Sequence, residues 1–254
     1  MPRVVWRSRR ARFADEALPE AQRFCRRAFT FARTLGLSAA GRFSCGSCHV
    51  EGRDDGIVWF GPAGERQTPT LAGDLAGSAP YNWKGTEAEL AGNIGKTVGR
   101  LGGSGLSAAS RQALADFVTH GIVTPPNPYV AASGLSEQQL RGKSLFLDPV
   151  VGCAGCHSPA TAFTDGKTHD VGTKTALDVL SKGFDGPTGA SPGTPAIEFN
   201  TPSLRLLFDT APYLHDGSAK SLFDVLAKTA GKMGNVVNLT TDQRSDLVAY
   251  LLSL

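Results

Sequence analysis

Methionine is almost missing from this 254-residue chain: besides Met1 there is only Met233. No apolar run approaches the roughly 18 residues needed to cross a bilayer, so no transmembrane helix is expected. The opening MPRVVWRSRRARF is basic but has no apolar h-region, which excludes an ordinary signal peptide at this position. Ser8-Arg9-Arg10 has the look of a twin-Arg signal, yet the polar ADEALPEAQR follows where apolar residues should stand. No continuous β-alternation occurs anywhere, which turns the reading towards helices. Histidine and cysteine are scarce too, at five each. Their placement therefore carries much of the information.

Four of the five cysteines and two of the five histidines fall into two copies of one pattern, Cys45-Gly46-Ser47-Cys48-His49 and Cys153-Ala154-Gly155-Cys156-His157. Cys-x-x-Cys-His is the attachment signature of a c-type haem: two thiols add across the porphyrin vinyls and the next residue binds the iron. Two intervening residues let both sulfurs reach one porphyrin edge. A dithiol redox pair does not require the His, and a zinc site takes four ligands close in space, whereas these motifs lie 108 residues apart. Two covalently bound haem c groups are expected. Haem attachment of this kind takes place outside the cytoplasm, so the expected location is periplasmic or otherwise extracytoplasmic. The export signal would have been cleaved, truncated or lost to a misplaced start. The fifth cysteine, Cys25, reads as a small buried hydrophobe.

Hydrophobic content of 41% and charged content of 19% are ordinary for a soluble globular protein. The net charge of +3 is unevenly spread: residues 1–33 carry +6 and the remainder −3. The basic start could meet an acidic partner or an anionic lipid surface, or be simply solvated. Nucleic acid is not an expected partner.

The sequence repeats itself around the motifs. Thr68-Pro69-Thr70-Leu71 returns as Thr201-Pro202-Ser203-Leu204, and Ala79-Pro80-Tyr81-Asn82-Trp83-Lys84-Gly85 returns 132 residues on as Ala211-Pro212-Tyr213-Leu214-His215-Asp216-Gly217. Each copy then enters a helical pattern. Thr86-x-x-Glu89 reads as a capping box before Leu90, Ile94, Thr97 and Leu101, and Leu222, Leu226, Thr229 and Met233 follow at the same steps. Closing helices start near Ser107 and at Thr240-x-x-Gln243, and Ser136-x-x-Gln139 opens a helix that leads into the second motif. Thr124-Pro125-Pro126-Asn127-Pro128 serves as the linker. Between motif His and Thr-Pro there are 18 residues in the first copy and 43 in the second; the extra 25 read as a loop excursion. The expected fold is mostly α, with two cytochrome c-like helical domains that each enclose one haem and are related as an internal repeat. The boundaries are 1–20 basic arm, 21–123 first domain, 124–135 linker and 136–254 second domain.

The ligand opposite the motif His decides what each haem can do: Met raises the potential, His lowers it, and an open position admits a small molecule. Met233, the one internal methionine, is expected to bind the second iron opposite His157. At the matching position the first copy has Leu101, which cannot bind iron. No His or Met lies between Val50 and Thr119. The first haem is therefore open, or His120 reaches it, or a residue of the other half does. His120 reads as a surface or interface residue. The expectation is a six-coordinate His/Met second haem and a five-coordinate or water-bound first one.

These runs, with His169-Asp170-Val171-Gly172-Thr173, resemble the bacterial di-haem cytochrome c peroxidases and their MauG-type relatives over roughly residues 20–254. The resemblance implies that His157 and Met233 belong to a high-potential electron-accepting haem and that His49 is the proximal residue of the haem where peroxide binds. It places Trp83 on the inter-haem relay. It places a Ca²⁺ on the side chain of Gln67 and the carbonyls of Thr210 and Pro212, and gives His215 a non-ligating role at a haem propionate or an inter-domain loop. Met233 departs from the MauG branch, which carries Tyr there. Asn93 and Gly103 fall near the Gln and Glu that move the proton in peroxidatic members, so the acid is missing. Glu87 and Glu89 nearby read as helix-capping residues. The first-domain His that ligates the resting peroxidase is also missing, and Leu101 falls where a subgroup carries Met.

The leading function is electron transfer between the two haems. The alternative is hydrogen-peroxide reduction at the first haem, and a minor third is small-ligand sensing there. The expected partner is a redox protein, whether a small cytochrome, a cupredoxin or a larger electron-transfer complex, with H2O2 as the candidate substrate. A homodimer remains open.

Overall fold

The computed structural model describes residues 20–33, 36–61, 64–73, 75–180 and 198–254. The basic start, residues 1–19, lies outside the described residues, as does 181–197 of the long insertion. Among the described residues the regular structure is mostly helical, as expected: α1 Glu20–Thr30, α2 Leu90–Arg100, α3 Ala108–Gly121, α4 Glu137–Leu147, α5 Ala176–Leu180, α6 Leu222–Lys228 and α7 Thr241–Leu251. No helix among them is long and apolar enough to cross a membrane.

Helix starts follow from short polar side chains that accept orphaned N–H groups. Ser136 and Thr240 each form the capping box with the Gln three residues on, and Ser221 forms one with Asp224 that the sequence reading did not single out. The box at Thr86 does not form. Helix α2 starts later, after Glu89, whose side chain caps nothing. Thr86 instead bonds Asn82 and Glu87, and Glu87 is buried in an ion pair with Lys96 of α2. Capping is thus not the job of either glutamate. A second correction concerns Met233. Helix α6 stops at Lys228, and Gly231 and Gly234, both at positive φ, bracket Met233 in a turn rather than on the helix face.

Two antiparallel ribbons escape any alternation test because they are so short: β1 Val58–Gly61 with β2 Gly64–Gln67, and β3 Thr168–His169 with β4 Phe199–Asn200. Val58 faces Gln67 and Thr168 faces Asn200, so the ribbons share a register. The described start of the long insertion, residues 170–180, follows β3 and contains α5.

Local geometry recurs between the copies. Tyr81 and Tyr213 follow cis prolines, pair with Glu87 and Ala219, and donate their hydroxyls to the carbonyls of Leu75 and Leu207. Around the second motif one apolar cluster joins Phe146 of α4, Tyr213, Leu222 and Leu226 of α6, and Leu247 and Leu251 of α7. Around the first, α1, α2 and α3 bury Cys25, Phe29, Leu90, Val98, Leu114 and Val118 in two smaller clusters.

Helices α4 and α7 approach closely at Gly142, where an added Cβ would lie 1.9 Å from the Asp246 carbonyl oxygen. Arg141 meanwhile grips the Asp246 carboxylate with two hydrogen bonds, at 2.8 and 3.0 Å. Gly142→Ala should force the helices apart and lower stability by about 1–3 kcal/mol in urea unfolding. An unchanged midpoint would show that the helices separate at no cost.

Candidate haem sites

Both motifs make the same turn. Cys45–Ser47 and Cys153–Gly155 each form a single 3-10 turn, and the motif His donates its backbone N–H to the first Cys carbonyl, at 2.8 Å for His49 and 3.0 Å for His157. The four sulfurs are free thiols. Burial raises all four, to about 11 at Cys45 and at Cys153. A dithiol redox centre works through a depressed pKa, so these partly buried thiols, with their pKa raised instead, do not suit that chemistry.

The histidine rings show what they do suit. His49 Nδ1–H donates to the Arg53 carbonyl at 3.2 Å, and His157 Nδ1–H donates to the Phe163 carbonyl at 2.8 Å. The carbonyls of Pro69 and Pro202 also act on these rings. Burial pushes both imidazoles below their ordinary pKa, towards the neutral form. With Nδ1 committed to backbone, Nε2 carries the free lone pair, which is the tautomer a metal requires. The repeated Thr-Pro segments thus gain a purpose that sequence alone did not show. The donor set, two thiols and one such imidazole on a single turn, fits haem c at both motifs.

A cavity of about 500 Å³ is lined by Cys153, Cys156 and His157, and also by Met233, Trp83 and His215. The structure therefore brings Met233 to the second motif although it stands in a turn; a Cβ added at Gly234 beside it would lie 3.6 Å from Cys153 Sγ. Cys45, Cys48, His49 and Leu101 do not line this cavity. Leu101 caps α2, and its carbonyl accepts from the Ala39 N–H. His120 is exposed, and its Nδ1–H donates to the Asp116 carbonyl within its own helix. At Gly103 a Cβ would lie 2.2 Å from the Gly36 carbonyl oxygen and 2.7 Å from the Leu37 carbonyl carbon. No side chain fits there.

Between the motifs the copies exchange hydrogen bonds. Gln67 N–H donates to the His215 carbonyl at 2.7 Å, and Asn200 N–H donates to the Trp83 carbonyl at 2.9 Å. Trp83 and His215, at matching positions, meet edge to face with centroids 6.4 Å apart. The Trp83 indole N–H donates to the Gln67 carbonyl at 2.8 Å. Gln67 Nε2 donates to the Thr210 carbonyl at 3.1 Å, which joins two of the three residues expected at a Ca²⁺.

Sequence reasoning missed what holds His215. Its ring stacks on Phe199 at 3.8 Å, and Nε2–H donates to Asp178 at 3.0 Å. Asp178, 4% exposed, comes from α5 in the insertion and also accepts from Thr175 and, at 2.6 Å, from Arg66 of β2. Burial alone would raise Asp178; the bonds from Thr175 and Arg66 outweigh it, and the pKa falls to about 2. A lone acid in a Gly- and Pro-rich excursion gives no sequence signal. Cys156, Asp165 and His169 also lie together, their ligand atoms within 4.8 Å of one another. The first copy repeats the acid–ring pair as Asp55 and Trp59, and indole binds no metal, so the pair reads as a structural hydrogen bond.

The fold and the paired motifs define a class, and the chain belongs to it: the MauG-like di-haem cytochrome superfamily. No protein-family model matches the chain. Hydrazine synthase subunit gamma of Kuenenia stuttgartiensis is 30% identical over 100% of this chain and 82% of its own length. Methylamine utilization protein MauG of Methylorubrum extorquens is 30% identical over 86% of this chain and 74% of its own. A solved structure of Kuenenia stuttgartiensis hydrazine synthase superposes with a TM-score of 0.75 at 27% identity, covering 93% of this chain and 88% of that one.

Asp178→Asn should cost about 3–5 kcal/mol at pH 7, because it strips the carboxylate from a buried His215 and a partly buried Arg66. The folded carboxyl titrates near 2, below an ordinary value of about 3.9, so its stabilisation is complete above the latter and lost as pH falls towards the former. Denaturation of both proteins across that range checks the sign: the gap should close on acidification, and a gap independent of pH would contradict the pairing.

Proposed function

We propose that this chain is an electron-transfer di-haem cytochrome, divided into 21–123 and 136–254 about the linker 124–135. Haem c bound at each motif supplies one-electron iron chemistry. Cys45 and Cys48, and Cys153 and Cys156, are the attachment thiols; His49 and His157 offer Nε2 to the irons. Met233 offers its thioether at the second site, on the strength of its place in the cavity of Cys153 and His157. Trp83 stands between the sites with its N–H on a peptide carbonyl, which keeps the ring fixed in one orientation. Gln67, Thr210 and Pro212 remain the candidate Ca²⁺ ligands.

The observation that carries electron transfer over peroxide reduction is Gly103. The acid that would shuttle a proton is missing, and the backbone of Gly36 and Leu37 fills the space it would need. Glu87 cannot stand in freely, because it is buried against Lys96. Proton transfer by a positioned acid is worth about 10²–10⁴-fold. A redox protein is the expected partner. The name of the gamma-subunit relative makes that protein one part of an assembly, which supports the larger-complex option here. An extracytoplasmic location follows from the haem chemistry.

Steady-state turnover of H2O2 with a reduced donor should be negligible for the haem-loaded protein, and rapid turnover would install the peroxidase reading instead. Gly103→Glu should not create that activity. Its side chain has nowhere to go, so lowered thermal stability is the expected result. A stable variant with raised turnover would overturn the steric argument.

A further inference from the structure

After each motif comes an acidic turn that the two copies fill differently. Asp54-Asp55-Gly56 stands where the second copy has Thr164-Asp165-Gly166. Contacts establish the match. The carbonyls of Arg53 and Phe163 hold His49 and His157. Trp59 Nε1–H donates to Asp55 at 2.9 Å, as His169 Nε2–H does to Asp165 at 2.8 Å. Gly56 N–H donates to Asp54 Oδ1 at 3.0 Å, as Gly166 N–H does to Thr164 Oγ1 at 3.1 Å. One bond has no counterpart. The Thr164 hydroxyl also donates, at 2.6 Å, to the carbonyl of Thr201, the residue that repeats Thr68. In the first copy the side chain at that position is Asp54, whose second oxygen, Oδ2, is buried and has no hydrogen-bond partner among the described residues. A carboxylate has no proton to give, and a buried acceptor left without a donor is costly.

We propose that Asp54 is held as the protonated acid, its O–H taking the place of the Thr164 hydroxyl towards the Thr68 carbonyl, and that it is a redox-linked proton site for the Cys45–His49 motif. The surroundings favour the neutral form. Asp55 shares its turn, Glu51 precedes it, and Asp209 faces it from the turn at Leu207–Asp209. The adjacent cation, Arg53, is engaged by Asp209 at 2.9 Å and by Glu51 at 2.8 Å. Burial accordingly pushes the Asp54 carboxyl up against the pull of the Gly56 N–H, and Asp209 and Asp55 add to the rise. Asp54 directly follows Arg53, whose carbonyl accepts from His49 Nδ1, so one stretch of backbone joins the acid to the ring's hydrogen bond. Above the pH at which Asp54 ionises in the oxidised protein, one electron delivered by a redox protein to a haem at His49 would draw one proton from water onto Asp54, and oxidation would release both.

The redox half of this rests on the haem assignment of His49, while the protonation half does not. Isotope-edited infrared spectroscopy of the haem-loaded protein at neutral pH should show a protonated carboxyl band that is lost in both Asp54→Thr and Asp54→Asn. Threonine supplies the hydroxyl that the second copy uses, so that variant should stay folded. A spectrum with only carboxylate at Asp54, or a band that Ca²⁺ converts to carboxylate, would overturn the proposal in favour of a bare or cation-binding acid. In redox titrations the midpoint of the first haem should fall as pH rises through the Asp54 titration and become independent of pH in Asp54→Thr. A slope that survives in that variant would sink the redox link. Failure of haem to load at His49 would strike the functional assignment and leave the infrared result standing.

Discussion

Two backbone hydrogen bonds that cross between the copies organise the centre of this molecule. The amide of Gln67 donates to the His215 carbonyl, and the amide of Asn200 donates to the Trp83 carbonyl. Each ribbon ends by gripping the loop of the opposite copy. A buried backbone donor must find an acceptor, and here the nearest one belongs to the other half. That requirement sets Trp83 against His215 and places the Thr-Pro segments, which follow at once, so that Pro69 and Pro202 reach the two motif histidines. The motif rings, the central aromatic pair and the cavity wall all depend on the same crossing.

Upon that common frame the two copies diverge. Position 83 is an indole and position 215 an imidazole, and only the imidazole needs a buried acid, which the insertion delivers as Asp178. Met233 reaches its cavity because α6 ends early between two glycines, whereas α2 runs on to Arg100 and ends in Leu101. Glu87 occupies the position of the fully buried Ala219 and brings Lys96 with it. An insertion, an early helix end and an ion pair together set the two halves of a repeated scaffold apart.

Much of this was legible in the sequence. Cys-x-x-Cys-His has its spacing dictated by covalent chemistry, and the capping boxes at Ser136 and Thr240 state their helices in four residues each. The mostly helical fold and the superfamily followed from such strings. What stayed hidden depended on three-dimensional proximity. The ribbons are too short to alternate, Asp178 lies 37 residues from the histidine it holds, and the closure around Gly103 is made by backbone, which leaves no mark in a sequence. The Thr86–Glu89 box failed for a local reason: Asn82, at positive φ, and Glu87 compete for the Thr86 hydroxyl. The early end of α6 was carried by Gly231 and Gly234, a signal present in the sequence but outweighed there by the regular spacing of Leu222, Leu226 and Met233.

The central claim is that equal motifs make unequal sites, and electron paramagnetic resonance of the oxidised, haem-loaded protein tests it most directly. One low-spin signal with the character of His/Met ligation and one high-spin signal are predicted. Substituting Met233 by Ala should remove the first and leave the second. Two low-spin signals in the native protein, or a spectrum that Met233→Ala does not change, would contradict it.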